Sequence, residues 1–242
     1  MIELGGVWKS LGGRQILRGL DLRVPDGLNY VLMGPSGTGK SVTLKHVIGI
    51  LRPDRGEVLV DGQDVPRLSR PDLQELRKRM GYLFQNGALI NWLTVERNVA
   101  LPLEEHSGLP RDEIEQRVIG VLRTVGMEDA AKQFPADISG GMKLRCGLAR
   151  ALVTEPAYVL YDEPNAGLDP IMSAQIHRLI ADVRDQLGVT GLIVTHRRHC
   201  AIETGDRVGV LSDGQIVQEG TIDEMLQSDH ELVRSFLSGH AD

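Results

Sequence analysis

The sequence predicts an α/β fold in which a sheet of short parallel strands is flanked by helices and interrupted by a helical insertion. Three observations carry that expectation. The apolar run at residues 30–33 leads through GPSGTGKS into a helix-period segment, giving a strand, a phosphate-sized loop and a helix. Two more apolar runs, AYVLYD and GLIVTH, end in acidic or imidazole side chains and enclose a helix-length stretch. Between these landmarks, residues 110–125 and 140–154 have helical periodicity, which places an inserted helical unit at about 87–155.

The elements follow in order. Residues 2–4 read as a strand, a glycine-rich turn follows, and 20–24 are again extended. After the phosphate-sized loop, residues 42–51 read as a helix stopped by Pro53, and GEVLV at 56–60 as a strand turning at Asp61 and Gly62. Leu73 and Leu76 among charged residues suggest a helix over 71–79 that leads to GYLFQ. The organisation changes after Gln85, and residues 86–102 are mixed apolar and Asn-rich. Ile114, Val118, Val121, Leu122 and Val125 share one helical face, which Gly126 closes. Leu144, Leu148 and Leu152 recur every fourth residue in the next helix, and Pro156 marks its end. Residues 176–187 read as helix, VGVLSDGQIVQEG as a hairpin turning at Asp213 and Gly214, and IDEMLQSDHELVRSFL as helical.

Composition narrows the class. The 242 residues are 41% hydrophobic and 25% charged, which excludes a collagen repeat and opposes wholesale disorder. A net charge of −6 opposes broad nonspecific binding to nucleic acid. Cys146 and Cys200 show no CxxC spacing, so a reducing compartment fits. The opening MIELGGVWKSLGG lacks the apolar segment of a secretion signal, and no run approaches the roughly 20 apolar residues of a membrane span.

The chemistry concentrates at strand ends. Gly34, Pro35, Ser36, Gly37, Thr38, Gly39, Lys40 and Ser41 match the P-loop pattern, with Val42 opening the following helix. Successive backbone N–H groups form an anion-binding concavity, and the helix N-terminus adds positive potential. Lys40 reaches β/γ phosphates, and the Ser41 hydroxyl is a Mg²⁺ ligand. Asp162 is placed to orient Mg²⁺ or its water shell, and adjacent Glu163 to polarise a water for attack on the γ phosphorus. Gln85 offers an amide oxygen to Mg²⁺ or water, and His196 an imidazole to the γ phosphate. In isolation either residue reads as ordinary surface or packing, and the phosphate loop tips the balance.

Taken together, these motifs resemble the nucleotide-binding subunit of an ABC transporter across essentially the whole chain. Gly34 to Ser41 match its P-loop, Gln85 its Q-loop, Ile138-Ser139-Gly140-Gly141-Met142 its signature, YVLYDE its acidic strand motif, Ala166-Gly167-Leu168-Asp169 its D-loop and His196 its switch histidine. The resemblance implies a single ABC-type P-loop domain over 1–242, with N-terminal antiparallel β elements and an inserted helical subdomain. It also implies ATP and Mg²⁺ as cofactors. Two copies would pair head to tail, so that Ser139, Gly140 and Gly141 of one clasp nucleotide held by the other's P-loop. Asp169 would link the paired sites, and Gln85 would transmit movement to a membrane subunit.

There are two departures from the family pattern: Met142 stands where a glutamine is usual, and Leu11 where an adenine-stacking aromatic is usual, with Trp8 close by. More narrowly, FQNGALINWLTVERNVALPL, SGGM and SDHELVRSFLSG resemble the ATPase of Mla and Mce phospholipid or hydrophobic-substrate transporters. That likeness implies integral membrane permease subunits, an envelope lipid-binding MCE-type component, no nucleic-acid partner, and a cytoplasmic position on the inner face of the membrane through the permease. Ala88, Leu89, Ile90, Trp92 and Leu93 suit either a groove for the permease or the core of the helical insertion. A soluble ABC ATPase acting on nucleic acid or ribosomes is opposed by the single cassette and the acidic charge. A nonhydrolytic nucleotide-gated module is opposed by Glu163 and His196.

Overall fold

The structure, a computed structural model, describes residues 1–237. The strands form two sheets. The first has the order β2-β1-β4-β5 and is antiparallel, built from β1 (Ile2–Leu11), β2 (Arg14–Val24), β4 (Arg55–Val60) and β5 (Gln63–Asp64). Its first two strands run well beyond the expected 2–4 and 20–24. The glycines that suggested a turn, Gly5 and Gly6, lie inside β1 at a register shift, where Asp21 Oδ1 accepts the Gly6 N–H at 2.7 Å. The hairpin turns instead at Gly12 and Gly13.

The second sheet has the order β10-β9-β3-β8-β7-β6 and comprises β3 (Asn29–Met33), β6 (Met80–Leu83), β7 (Tyr158–Asp162), β8 (Thr190–Thr195), β9 (Arg207–Ser212) and β10 (Gln215–Gly220). β9, β3, β8, β7 and β6 are parallel, and β10 closes the edge as the expected hairpin. Both β3 and β8 are buried along their whole length, as their unbroken apolar character requires of central parallel strands. One face, with Val31, Met33, Tyr161 and Ile193, packs on the helices. The other, with Leu32, Leu160 and Val194, joins the core beneath the first sheet.

Helix α1 (Lys40–Val47) is shorter than the expected 42–51. Gly49 takes φ +72° and lets the N–H groups of Ile50 and Leu51 fold back onto the Lys45 carbonyl, so the helix stops before Pro53 can act. After α2 (Arg70–Lys78), three helices form the inserted helical unit between β6 and β7: α3 (Val95–His106), α4 (Arg111–Thr124) and α5 (Gly140–Leu152). They share one core through Val99, Leu103, Ile114, Val118, Leu144 and Leu148. α6 (Pro170–Leu187) starts earlier than the periodicity suggested because Asp169 caps it and Pro170 occupies its first position. α7 (Arg198–Thr204) was not anticipated. The C-terminal pattern splits into α8 (Ile222–Leu226), which opens with a capping box between Thr221 and Glu224, and α9 (Glu231–Leu237). Ser238 and Gly239 of the SDHELVRSFLSG stretch lie outside the described residues.

Asn98 is a buried polar residue that periodicity does not reveal. Its Oδ1 accepts the Ile90 N–H at 2.7 Å, and its Nδ2 reaches the carbonyls of Ile90, Leu93 and Thr94 at 3.0–3.1 Å. One fully buried side chain thus supplies the hydrogen bonds that the loop before α3 cannot make to itself. Asn98→Ala is expected to cost about 2–3 kcal/mol of stability by orphaning these backbone groups, read as a lower denaturant midpoint at unchanged slope.

Candidate nucleotide site

The C-terminal ends of β3, β7 and β8 converge on a cavity of about 350 Å³ lined by residues that include Lys40, Ser41, Gln85, Glu163 and His196. Ser36, Gly37, Gly39 and Val42 form its loop-and-helix wall. Gly34 sits where a Cβ would lie 2.2 Å from the Leu211 carbonyl oxygen, so no side chain fits at the start of the loop. α1 has no side-chain cap at Gly39 and no acidic residue in its first turn, which leaves its leading N–H groups free for an anion.

Lys40 is nearly buried and donates to the Gly34 and Pro35 carbonyls at 2.8 and 3.0 Å. Burial lowers its pKa from the usual lysine value, while the carboxylates of Glu163 and Asp162 oppose the shift. Ser41 donates its hydroxyl to Asp162 Oδ1 at 2.7 Å, and the Tyr82 hydroxyl donates to Oδ2 at 3.2 Å. Burial and the Asp162 charge raise the Tyr82 pKa, so this phenol stays protonated as a donor. A hydroxyl and one carboxylate beside a phosphate loop fit Mg²⁺, which takes few protein ligands and completes its shell with phosphate oxygens and water. Among the described residues no cluster of three or more His, Cys, Asp or Glu side chains offers an all-protein cage.

Glu163 has φ +48°, a left-handed conformation that costs a non-glycine residue about 1–2 kcal/mol. Three contacts to the end of β8 hold it there. Its N–H donates to the Val194 carbonyl at 3.0 Å, Oε1 lies 2.9 Å from His196 Nδ1, and Oε2 accepts the Thr195 hydroxyl at 3.2 Å. The result is a fixed carboxylate facing the phosphate loop.

Ser139 and Asp169 do not line this cavity. Ser139 caps α5 by accepting the Met142 N–H at 3.3 Å, and Asp169 caps α6 by accepting the Met172 N–H at 2.9 Å. The two caps belong to helices in contact: a Cβ on Gly141 would lie 2.2 Å from Met172 Cε, and one on Gly140 would lie 3.8 Å from Leu168 Cδ2. Gln85 opens a short helical turn pinned to α5. Arg150 donates to the carbonyls of Gly87 and Ala88 at 2.8 and 3.0 Å, and a Cβ on Gly147 would lie 2.8 Å from Gly87 Cα.

Three contributors went unnoticed in the sequence. Ile16 lines the cavity, whereas Leu11 and Trp8 do not. Tyr82 and Thr195 each hydrogen-bond a carboxylate, and the only signal was a hydroxyl within an otherwise apolar strand. The 88–93 segment divides its roles, with Leu89 packed against the core and Trp92 79% exposed. A separate groove of about 440 Å³ between α2, β6 and α3 includes Arg77, Lys78, Tyr82, Pro102, His106 and Arg150 in its lining. Among the described residues no helix is long and apolar enough to cross a membrane.

Comparison with known proteins supplies the family. A family model described as ABC transporter matches residues 17–166. The probable ribonucleotide transport ATP-binding protein mkl of Mycobacterium leprae is 45% identical over 98% of this chain, which spans 69% of that protein. The intermembrane phospholipid transport system ATP-binding protein MlaF of Haemophilus influenzae is 40% identical over 100% of this chain and 92% of its own length. In structure, the ATP-binding cassette MJ0796, solved as a dimer in a post-hydrolysis state with ADP and phosphate, superposes with a TM-score of 0.83 at 31% identity, covering 92% of this chain and 99% of that one. The chain therefore belongs to the ABC transporter family, as an ATP-hydrolysing subunit that uses ATP and Mg²⁺.

Proposed function

We propose that two copies of this chain close around MgATP and drive a membrane permease that moves phospholipid or a related hydrophobic substrate. The observation that carries the reading is the division of the site. Lys40, Ser41, Gln85, Glu163 and His196 share one cavity, while Ser139, Gly140, Gly141 and Asp169 are not among its lining residues. A second copy supplies the missing wall: its Ser139 and the glycines beside it meet the nucleotide held by residues 34–41, and Asp169 links the paired sites. The dimeric MJ0796 cassette, similar along nearly its whole length, supports that arrangement.

Lys40 neutralises the β/γ phosphates, and Ser41 and Asp162 would hold Mg²⁺, which would supply screening of the phosphate charge. Gln85, which lines the same cavity, would offer its amide oxygen to that ion or its water. Glu163 accepts a proton from water as its oxygen attacks the γ phosphorus and the bond to the ADP leaving oxygen breaks, while His196 turns to the γ phosphate. The permease engages the α2–α3 groove and the exposed Trp92 segment, which holds the chain at the inner face of the membrane, and an MCE-type lipid-binding component lies beyond the permease. Likeness to MlaF over the full chain supports a lipid cargo. The mycobacterial relative, named for ribonucleotide transport, favours a second reading in which the same motor serves a polar cargo. The test is reconstitution with the copurifying permease in vesicles. MgATP-dependent transfer of labelled phospholipid, absent with Glu163→Gln, is the expected result. ATP-dependent uptake of ribonucleotide with no lipid transfer would replace the lipid reading with the polar one.

A further inference from the structure

We propose that Thr195 is a positioning residue for hydrolysis, its hydroxyl fixing the carboxylate of Glu163 toward the attacking water. The inference rests on reading Glu163 as the general base and adds the group that aims it. Thr195 is the last residue of β8, paired in register with Met33 of β3 and fully buried. A threonine hydroxyl has one hydrogen to give and lone pairs to receive. Here the Arg197 N–H donates to the hydroxyl oxygen at 3.1 Å, and the hydrogen is left for Glu163 Oε2 at 3.2 Å. Cys200 beside it does not compete as a thiolate acceptor, because burial pushes its thiol up to about 12.

The geometry assigns different tasks to the two carboxylate oxygens. Oε1 faces His196, whose side chain is nearly half exposed and free to turn toward a phosphate. Oε2 faces Thr195, anchored in the sheet. When His196 swings to the γ phosphate, Thr195 is the side-chain contact that remains to stop the carboxylate rotating. A β-branched residue suits the place, since the strand restricts χ1 and fixes the direction of the hydroxyl.

The test compares Thr195→Val, which keeps the shape and removes the donor, with Thr195→Ser, which keeps the donor and removes the methyl. Steady-state kcat and KM, with MgATP affinity, are measured on the purified chain, and thermal unfolding reports folding. Thr195→Val is expected to lower kcat about tenfold or more, the loss of one hydrogen bond to a charged group, with KM and affinity within about twofold. Thr195→Ser should recover most of the rate. In a Glu163→Gln background, Thr195→Val should slow residual single-turnover hydrolysis no further. If the valine variant does not fold, Thr195→Ala gives the same contrast with serine. Wild-type kcat without the hydroxyl, or a serine variant as slow as valine, would overturn the assignment. Wild-type turnover by Glu163→Gln alone would instead remove the general-base reading on which it stands.

Discussion

Glu163→Gln is expected to bind MgATP with near-native affinity and hydrolyse it some 10²- to 10⁴-fold more slowly, the usual range for removing a positioned general base. The amide keeps the side chain's length and can still accept from Thr195, so the left-handed turn at residue 163 is retained. What disappears is the carboxylate oxygen proposed to take the water proton. With hydrolysis blocked, nucleotide should hold the two copies together, visible as a doubled mass by light scattering under saturating MgATP. Unchanged turnover would defeat the role of Glu163, and a monomer at saturation would defeat the ATP-held pair.

Lys40→Ala should fail earlier, at binding. Each charge-assisted hydrogen bond from an ammonium to phosphate contributes about 1.5–3 kcal/mol, so MgATP affinity should fall at least tenfold and hydrolysis with it. In the wild type the same lysine predicts a pH dependence. Burial disfavours its charged form in the free chain, and bound phosphates favour it. ATP binding therefore draws a proton onto Lys40 at alkaline pH and weakens as pH rises through the free-state pKa, which lies below the usual lysine value. Calorimetric titration from pH 7.5 to 10 in buffers of differing ionisation heat should show this uptake in wild type and its absence in Lys40→Ala.

Much of the fold was legible because central parallel strands announce themselves. Tyr30 to Met33 and the AYVLYD and GLIVTH runs are largely apolar up to their C-terminal ends, and each ends where chemistry begins. The phosphate loop was equally plain, and the structure accounts for its glycines by close contact at Gly34 and Gly39 and by positive φ at Gly37. Boundaries set by tertiary contact were not legible. β1 continues through two glycines because Asp21 repairs the ladder from across the hairpin, and α1 ends at a glycine rather than at the proline that stood out. α7 was missed because seven residues carry too little periodicity to register. In the site, the charged and imidazole residues were evident from their order, whereas Tyr82, Thr195 and Ile16 act through positions that only the assembled sheet defines. Asn98 shows the same limit, since its partners are backbone groups that leave no mark in the side-chain pattern.

The pinning of the Gln85 turn to α5 has a mechanical consequence. Arg150 and the close approach of Gly147 to Gly87 hold that turn near the C-terminal half of a helix whose other end carries Ser139. Thirteen helical residues make a rod of roughly 20 Å at 1.5 Å each. Tilting that rod by ten degrees about the pinned Gly147 and Arg150 would sweep the Ser139 end through roughly 2–3 Å, about the length of one hydrogen bond. On the proposed pairing the rod would serve as a lever, with its fulcrum beside the cavity that Gln85 lines and its tip at the surface a second copy would meet, so that a slight tilt at the Gln85 turn would make or break contact at Ser139.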